Sequence, residues 1–181
     1  MIDIDGMWRF LNNTFVAKSL LEVIDPDTSA KIPLRNFLYH NGWEFRFDFD
    51  KLEKLWDSGH TFIVQSSCAN KVIREYVESL EREKNVNAQA HIYAGKYGSK
   101  SFPIHCDVPD NIIVQCVGKS KVTVYNEYDQ GCESIPLHSD LTVKEQTILE
   151  PGQSISIPSL QYHHFQPLTD RLSISFPMMP N

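Results

Sequence analysis

Residues 102–118 read Phe102-Pro103-Ile104-His105-Cys106-Asp107-Val108-Pro109-Asp110-Asn111-Ile112-Ile113-Val114-Gln115-Cys116-Val117-Gly118. The run 111–117 is β-prone, and a His-x-Asp triplet sits just ahead of it. In a strand or at a strand end, residues i and i+2 point the same way, so His105 and Asp107 face one point while Cys106 turns away to pack. Alone, such a pair is a weak metal signal. A second stretch strengthens it: Pro151-Gly152-Gln153-Ser154-Ile155-Ser156-Ile157-Pro158, then Ser159-Leu160-Gln161-Tyr162-His163-His164. A Pro-Gly turn, a short alternating strand, a proline and then a histidine return an imidazole across a small barrel. Two histidines and one carboxylate on one side of an ion leave positions free for other ligands, which suits non-haem Fe(II).

The rest of the chain supports a barrel. Short β-prone runs at 91–93, 121–125, 142–149, 154–157 and 172–176 alternate with turn residues at a spacing of about ten, the pattern of a sandwich or barrel. The first third reads as helix and irregular structure. Residues 7–24 place Phe10, Phe15, Leu20 and Ile24 on one helical face, and Asp25 to Ser29 form a loop on their chemistry. A short helix is predicted around 48–58, capped by Asp48 or Asp50 and stopped at Gly59. A strand at 61–64 follows. Residues 70–85 form the clearest helix, with Val72, Ile73, Tyr76, Val77 and Leu80 at helical spacing and a charged, solvated opposite face. Trp8, Trp43, Trp56, Phe37, Phe45, Phe47 and Phe49 are expected to pack the N-terminal segment on the barrel. His40, His60, His91 and His138 lack ligand-like spacing, so surface or satisfied core roles are expected.

Composition bounds the function classes. The 181 residues are 41% apolar and 22% charged, ordinary for one globular domain that buries its own core. Net charge is −6 with the basic residues scattered, which disfavours nucleic acid as a partner. Cys68, Cys106, Cys116 and Cys132 form no CxxC pair, so free thiols in a reducing compartment are expected, and no structural zinc site. The start MIDIDGMWRF has no basic residue ahead of an apolar run, so no secretory leader is expected. No apolar stretch approaches the roughly 18 residues that span a membrane. The expected location is cytoplasmic.

The stretches 91–98 (His91-Ile92-Tyr93-Ala94-Gly95-Lys96-Tyr97-Gly98), 102–107 and 110–118, followed by the Pro-Gly…Ile-Pro…His-His segment, resemble the JmjC-type cupin hydroxylases. That group includes the ribosomal oxygenases and the asparaginyl hydroxylase acting on hypoxia-inducible factor. The resemblance covers roughly residues 50–178. It implies a mainly β fold, a double-stranded β-helix (jelly-roll or cupin) barrel with N-terminal helices. Residues 1–49 would be a helical or irregular extension packed on a barrel domain of residues 50–181. It also implies metal ligands at His105, Asp107 and His163, the first of the histidine pair rather than His164. The implied activity is that of an Fe(II)- and 2-oxoglutarate-dependent oxygenase, using molecular oxygen to hydroxylate a protein side chain or a small molecule.

The sequence departs from the family pattern at two places. Two residues after Gly118, where JmjC-type members usually carry Lys or Arg, this chain has Ser120. Three residues before His105, where many carry Thr or Ser, it has Phe102. Lys121 is then a candidate for the cosubstrate only if a bulge or register shift turns it inward. Arg171, followed by Ser173, resembles the prolyl-hydroxylase branch, in which an Arg opening the last strand grips the distal carboxylate of 2-oxoglutarate. A guanidinium offers two parallel donors to that carboxylate, and a hydroxyl adds a third. Asn111 and Tyr93 are further candidates for cosubstrate contact, and Gln115 either contacts it or satisfies backbone groups. Ser120 and Phe102 favour the alternatives: a metal-dependent cupin dioxygenase or isomerase without 2-oxoglutarate, or a non-catalytic cupin binding module.

Overall fold

The computed structural model describes residues 2–12, 20–65, 67, 70–99, 102–129 and 140–181. In chain order the elements are α1 (Ile4–Leu11), β1 (Leu21–Ile24), a 3-10 turn (Leu34–Asn36), β2 (Leu38–His40), β3 (Phe45–Phe47), α2 (Phe49–Asp57), β4 (Thr61–Val64) and α3 (Lys71–Lys84). Strands follow: β5 (Val86–Ala88), β6 (His91–Gly95), β7 (Asp110–Val117), β8 (Ser120–Tyr128), β9 (Val143–Leu149), β10 (Ser154–Ile157), β11 (Gln161–Pro167) and β12 (Arg171–Pro180). The larger sheet runs β1-β4-β6-β12-β7-β10, with β5 pairing the end of β12, and the smaller runs β11-β8-β9. All strand pairs are antiparallel. The fold is a jelly-roll barrel.

Strand alternation sorts the side chains into two layers. Ile113, Val122, Val124, Leu149, Ile157 and Phe165 come from both sheets and fill the space between them. On the other face of the larger sheet, Phe62, Ile92, Ala94, Leu172, Ile174 and Phe176 meet Met7 and Leu11 of α1, Leu52 and Trp56 of α2, and Ile73, Val77 and Leu80 of α3. Trp8 packs edge-on against Trp56 and Phe62 at ring separations of 5.9 and 5.6 Å. Every second residue of β12 therefore serves the helical layer, and the residues between serve the barrel interior.

The helices begin and end where their chemistry dictates. Asp48 caps α2 by accepting from the Lys51 amide at 3.2 Å, and the chain leaves it through Gly59 at φ +84°. Asn70 caps α3 through the Val72 and Ile73 amides, and Asn85 closes it in the left-handed region at φ 54°. Asp25 organises its loop by accepting from the Asp27 and Thr28 amides and the Thr28 hydroxyl.

Several expectations need correction. The helix expected over 7–24 ends at Leu11, and residues 21–24 form a strand instead, paired Leu21↔Val64 to Ile24↔Thr61. Phe15, Cys68, Cys132 and His138 lie outside the described residues. The segment before residue 50 contributes a strand to the larger sheet as well as a packed helix. Trp43 and Phe45 do not pack on the barrel. They lie on the β2–β3 hairpin, Trp43 at 93% exposure. Val72 and Tyr76 stand on the exposed side of α3. No helix among the described residues is long and apolar enough to cross a membrane.

Candidate metal centre

The segment carrying His105 pairs with the smaller sheet. His105 and His163 exchange backbone hydrogen bonds, N to O at 3.1 Å and 2.8 Å, as an isolated antiparallel bridge. The two imidazoles consequently face each other, ring centroids 4.4 Å apart. Asp107 follows, its carbonyl accepting from the Leu160 amide at 2.7 Å. Leu160 takes a left-handed φ of 62°, and the β11–β8 register shifts between Gln161 and His163. From His163 to Pro167 the register with β8 is regular, so His163 shares a face of β11 with Phe165, which packs in the interior. His105, Asp107 and His163 each offer one ligand atom, and the three atoms lie within 4.8 Å of one another. The trio can hold one metal ion.

The ring tautomers suit that use. His105 Nδ1 lies 2.9 Å from the Pro103 carbonyl, and His163 Nδ1 lies 3.0 Å from that of Gln161. A carbonyl only accepts, so each Nδ1 carries the hydrogen and each Nε2 presents a lone pair. Burial, reinforced by His105, pushes the His163 pKa down and keeps the ring neutral, the form that ligates. His163 Nε2 stands 3.7 Å from Asp107 Oδ2. His164 points to the other face of β11, where it lines an outer groove.

The pocket around the trio is lined by Tyr93, Phe102, Ile113, Phe165, Arg171, Ser173 and Ser175. Arg171, Ser173 and Ser175 occupy alternate positions of β12, so one strand face delivers all three. Arg171 is 2% exposed, and its Nη1 donates to Ser173 Oγ at 3.0 Å. Burial lowers its pKa to about 10, and the neighbouring Tyr93 partly offsets that shift. Tyr93 is raised above the ordinary tyrosine value by burial and by the charge of Asp107. Both groups thus remain proton donors at neutral pH.

The remaining candidates fall elsewhere. Lys121 does not reach this pocket. Around it the β8 ladders are regular, Lys121↔Gln166 on one side and Lys121↔Ile148 on the other, so no bulge turns it inward. It lines the outer groove beside His164. Ser120 faces inward and is fully buried. Asn111 is directed to Asp107, donating from Nδ2 to Oδ2 at 2.8 Å. Gln115 donates to the Val117 carbonyl at 2.6 Å, the backbone-satisfying option. Cys106 packs beside Ile104 and Tyr162. Ser175 was missed, although its place two residues beyond Ser173 on an alternating strand marked it. His91, for which a surface or satisfied core role was expected, pairs across from Ser175; burial lowers its pKa and the charge of Asp107 partly offsets that shift.

A jelly-roll barrel whose two histidines and aspartate bring three ligand atoms within 4.8 Å is of the class that can hold a metal ion. The chain belongs to the JmjC domain family, whose model matches residues 65–181. Curated protein sequences yield no match. Among solved structures, the X-ray structure of E. coli ycfD superposes with a TM-score of 0.64 at 16% identity, covering 99% of this chain and 46% of that one. YcfD, a ribosomal oxygenase from Escherichia coli, in complex with cobalt and 2-oxoglutarate gives 0.62 at 17% identity, covering 99% and 45%. The chain therefore spans less than half the length of these structures, and at this identity the likeness is one of fold.

Proposed function

We propose that this chain is an Fe(II)- and 2-oxoglutarate-dependent oxygenase that hydroxylates a protein side chain or a small molecule in the cytoplasm. The observation that carries the proposal is a two-histidine, one-carboxylate cluster sharing its pocket with a deeply buried arginine. The donor set suits a ferrous ion with free coordination positions. When bound, iron and cosubstrate supply the oxidative chemistry, with molecular oxygen as oxidant and the cosubstrate decarboxylated to succinate.

The chain's own residues bind and orient. His105, Asp107 and His163 hold the ion. Arg171 meets the distal carboxylate through charge-assisted hydrogen bonds, with the Ser173 hydroxyl beside it. Tyr93 supplies a further donor on the same wall, and Phe102, Ile113 and Phe165 exclude water. Ser120 leaves the usual cation position empty of charge, and Arg171 replaces it from β12. A protein substrate is supported by the ribosomal-oxygenase neighbours, and a cytoplasmic location by the buried free thiols of Cys106 and Cys116.

Anaerobic titration with Fe(II) and then 2-oxoglutarate tests the reading. A visible charge-transfer band is expected in the wild type, absent in His163→Ala and retained in His164→Ala. Tight iron binding without a band would replace this reading with a 2-oxoglutarate-free cupin enzyme. Absence of iron binding would leave a binding module.

A further inference from the structure

Each histidine ligand has its ring fixed by a backbone carbonyl, but Asp107 has no such tether, and its side chain is 39% exposed. Among the described residues, one amide holds its carboxylate. Asn111 Nδ2 donates to Asp107 Oδ2 at 2.8 Å, and Ser175 Oγ donates to Asn111 Oδ1 at 2.7 Å. We propose that Asn111 and Ser175 are positioning residues for the metal-binding carboxylate, forming a two-step relay that fixes how Asp107 faces the two imidazoles. The proposal rests on the metal-centre reading above.

The relay has one permitted direction. An ionised carboxylate only accepts, so the amide must turn its NH₂ toward Asp107. That leaves Oδ1 facing the barrel wall, where the Ser175 hydroxyl is the donor that satisfies it. Both members are buried, Asn111 at 4% and Ser175 at 6% exposure. They stand on paired strands, with Ser175 opposite Ile113 and Pro177 opposite Asn111. The distance between them is therefore set by the sheet. Without the hydroxyl, Oδ1 would be a buried acceptor lacking its donor, and the amide would lose the restraint that holds it against Asp107. Groups holding a metal ligand in this way are typically worth a factor of about 10–100 in metal affinity.

Co(II) titration of the purified full chain tests this without turnover. Asn111→Ala is expected to weaken Co(II) binding by roughly 10–100-fold. Ser175→Ala should weaken it in the same direction by less, and Ser175→Thr, which keeps the hydroxyl, should restore wild-type affinity. Melting curves of the metal-free variants identify any that fail to fold, and the Ser175 pair still decides the matter if Asn111→Ala does. Wild-type affinity in Asn111→Ala, or equal weakening in Ser175→Ala and Ser175→Thr, overturns the relay while leaving the metal site standing. Failure of the wild-type chain to take up Co(II) overturns both.

Discussion

Arg171 carries the sharpest expectation at the scale of the single residue. A guanidinium at 2% exposure is costly to bury, and an apolar side chain of similar volume is often tolerated as well or better in such a place. Arg171→Met should therefore melt no lower than the wild type in the metal-free state. Its affinity for 2-oxoglutarate should fall by about 10–100-fold, the equivalent of the roughly 1.5–3 kcal/mol of a hydrogen bond to a charged group. Calorimetric melting and equilibrium binding check the two halves. A large fall in melting temperature would make Arg171 a structural residue instead. His105 and Asp107 were legible because residues two apart in a strand face the same way, whereas the choice of His163 over His164 came from the resemblance to the JmjC-type hydroxylases. The role of Asn111 was not. Its partner depends on how far the 105–107 segment folds back over β7, a tertiary distance that spacing along the chain does not encode.

At the scale of the element, β12 and the β7–β8 turn show how much local constraint the site depends on. Gly118 closes that turn at φ +68°, and a Cβ there would lie 1.8 Å from the Asp170 carbonyl oxygen and 2.4 Å from Thr169 Oγ1. The left-handed conformation alone costs a residue with a side chain about 1–2 kcal/mol, and the clash adds to it. Gly118→Ala should lower the urea midpoint clearly. Because Asp170 precedes Arg171, the cosubstrate affinity of the surviving folded fraction should fall too. Unchanged unfolding would show that the turn relaxes freely. Helix α2 was readable from its cap and its glycine stop, and α3 from apolar residues at helical spacing. Residues 7–24 were misread because steps of five, five and four between the apolar positions 10, 15, 20 and 24 turn Phe15 about 140° from Phe10 and do not make one helical face. The β-branched pair in Leu21-Glu22-Val23-Ile24 instead joins the edge of the sheet beside Phe62.

At the scale of the molecule, the residues before position 50 are part of the barrel's support. Met7, Leu11, Leu21 and Val23 lie in the same apolar cluster as Phe62, Ile92 and Ile174. A chain lacking residues 1–24 would uncover β4 and the apolar back of the larger sheet, an open edge beside an apolar face that invites association. That truncation should lose the cooperative melting transition and aggregate. A truncated chain that melts like the intact one would show that the barrel stands without this support. The sequence alone indicated the barrel, but not the sharing of one sheet between its beginning and its end. That sharing depends on a long-range pairing for which no local pattern is required.

The paired backbones of His105 and His163 have one more consequence. If both histidines hold an ion, two ligands that share a ladder rung would part company whenever that rung opens, so release of the ion and breathing of the barrel seam would become a single event. Metal should therefore act as a latch. Deuterium uptake at the amides of His105 and His163 should slow steeply on loading with Co(II), while the helical layer exchanges at its former rate.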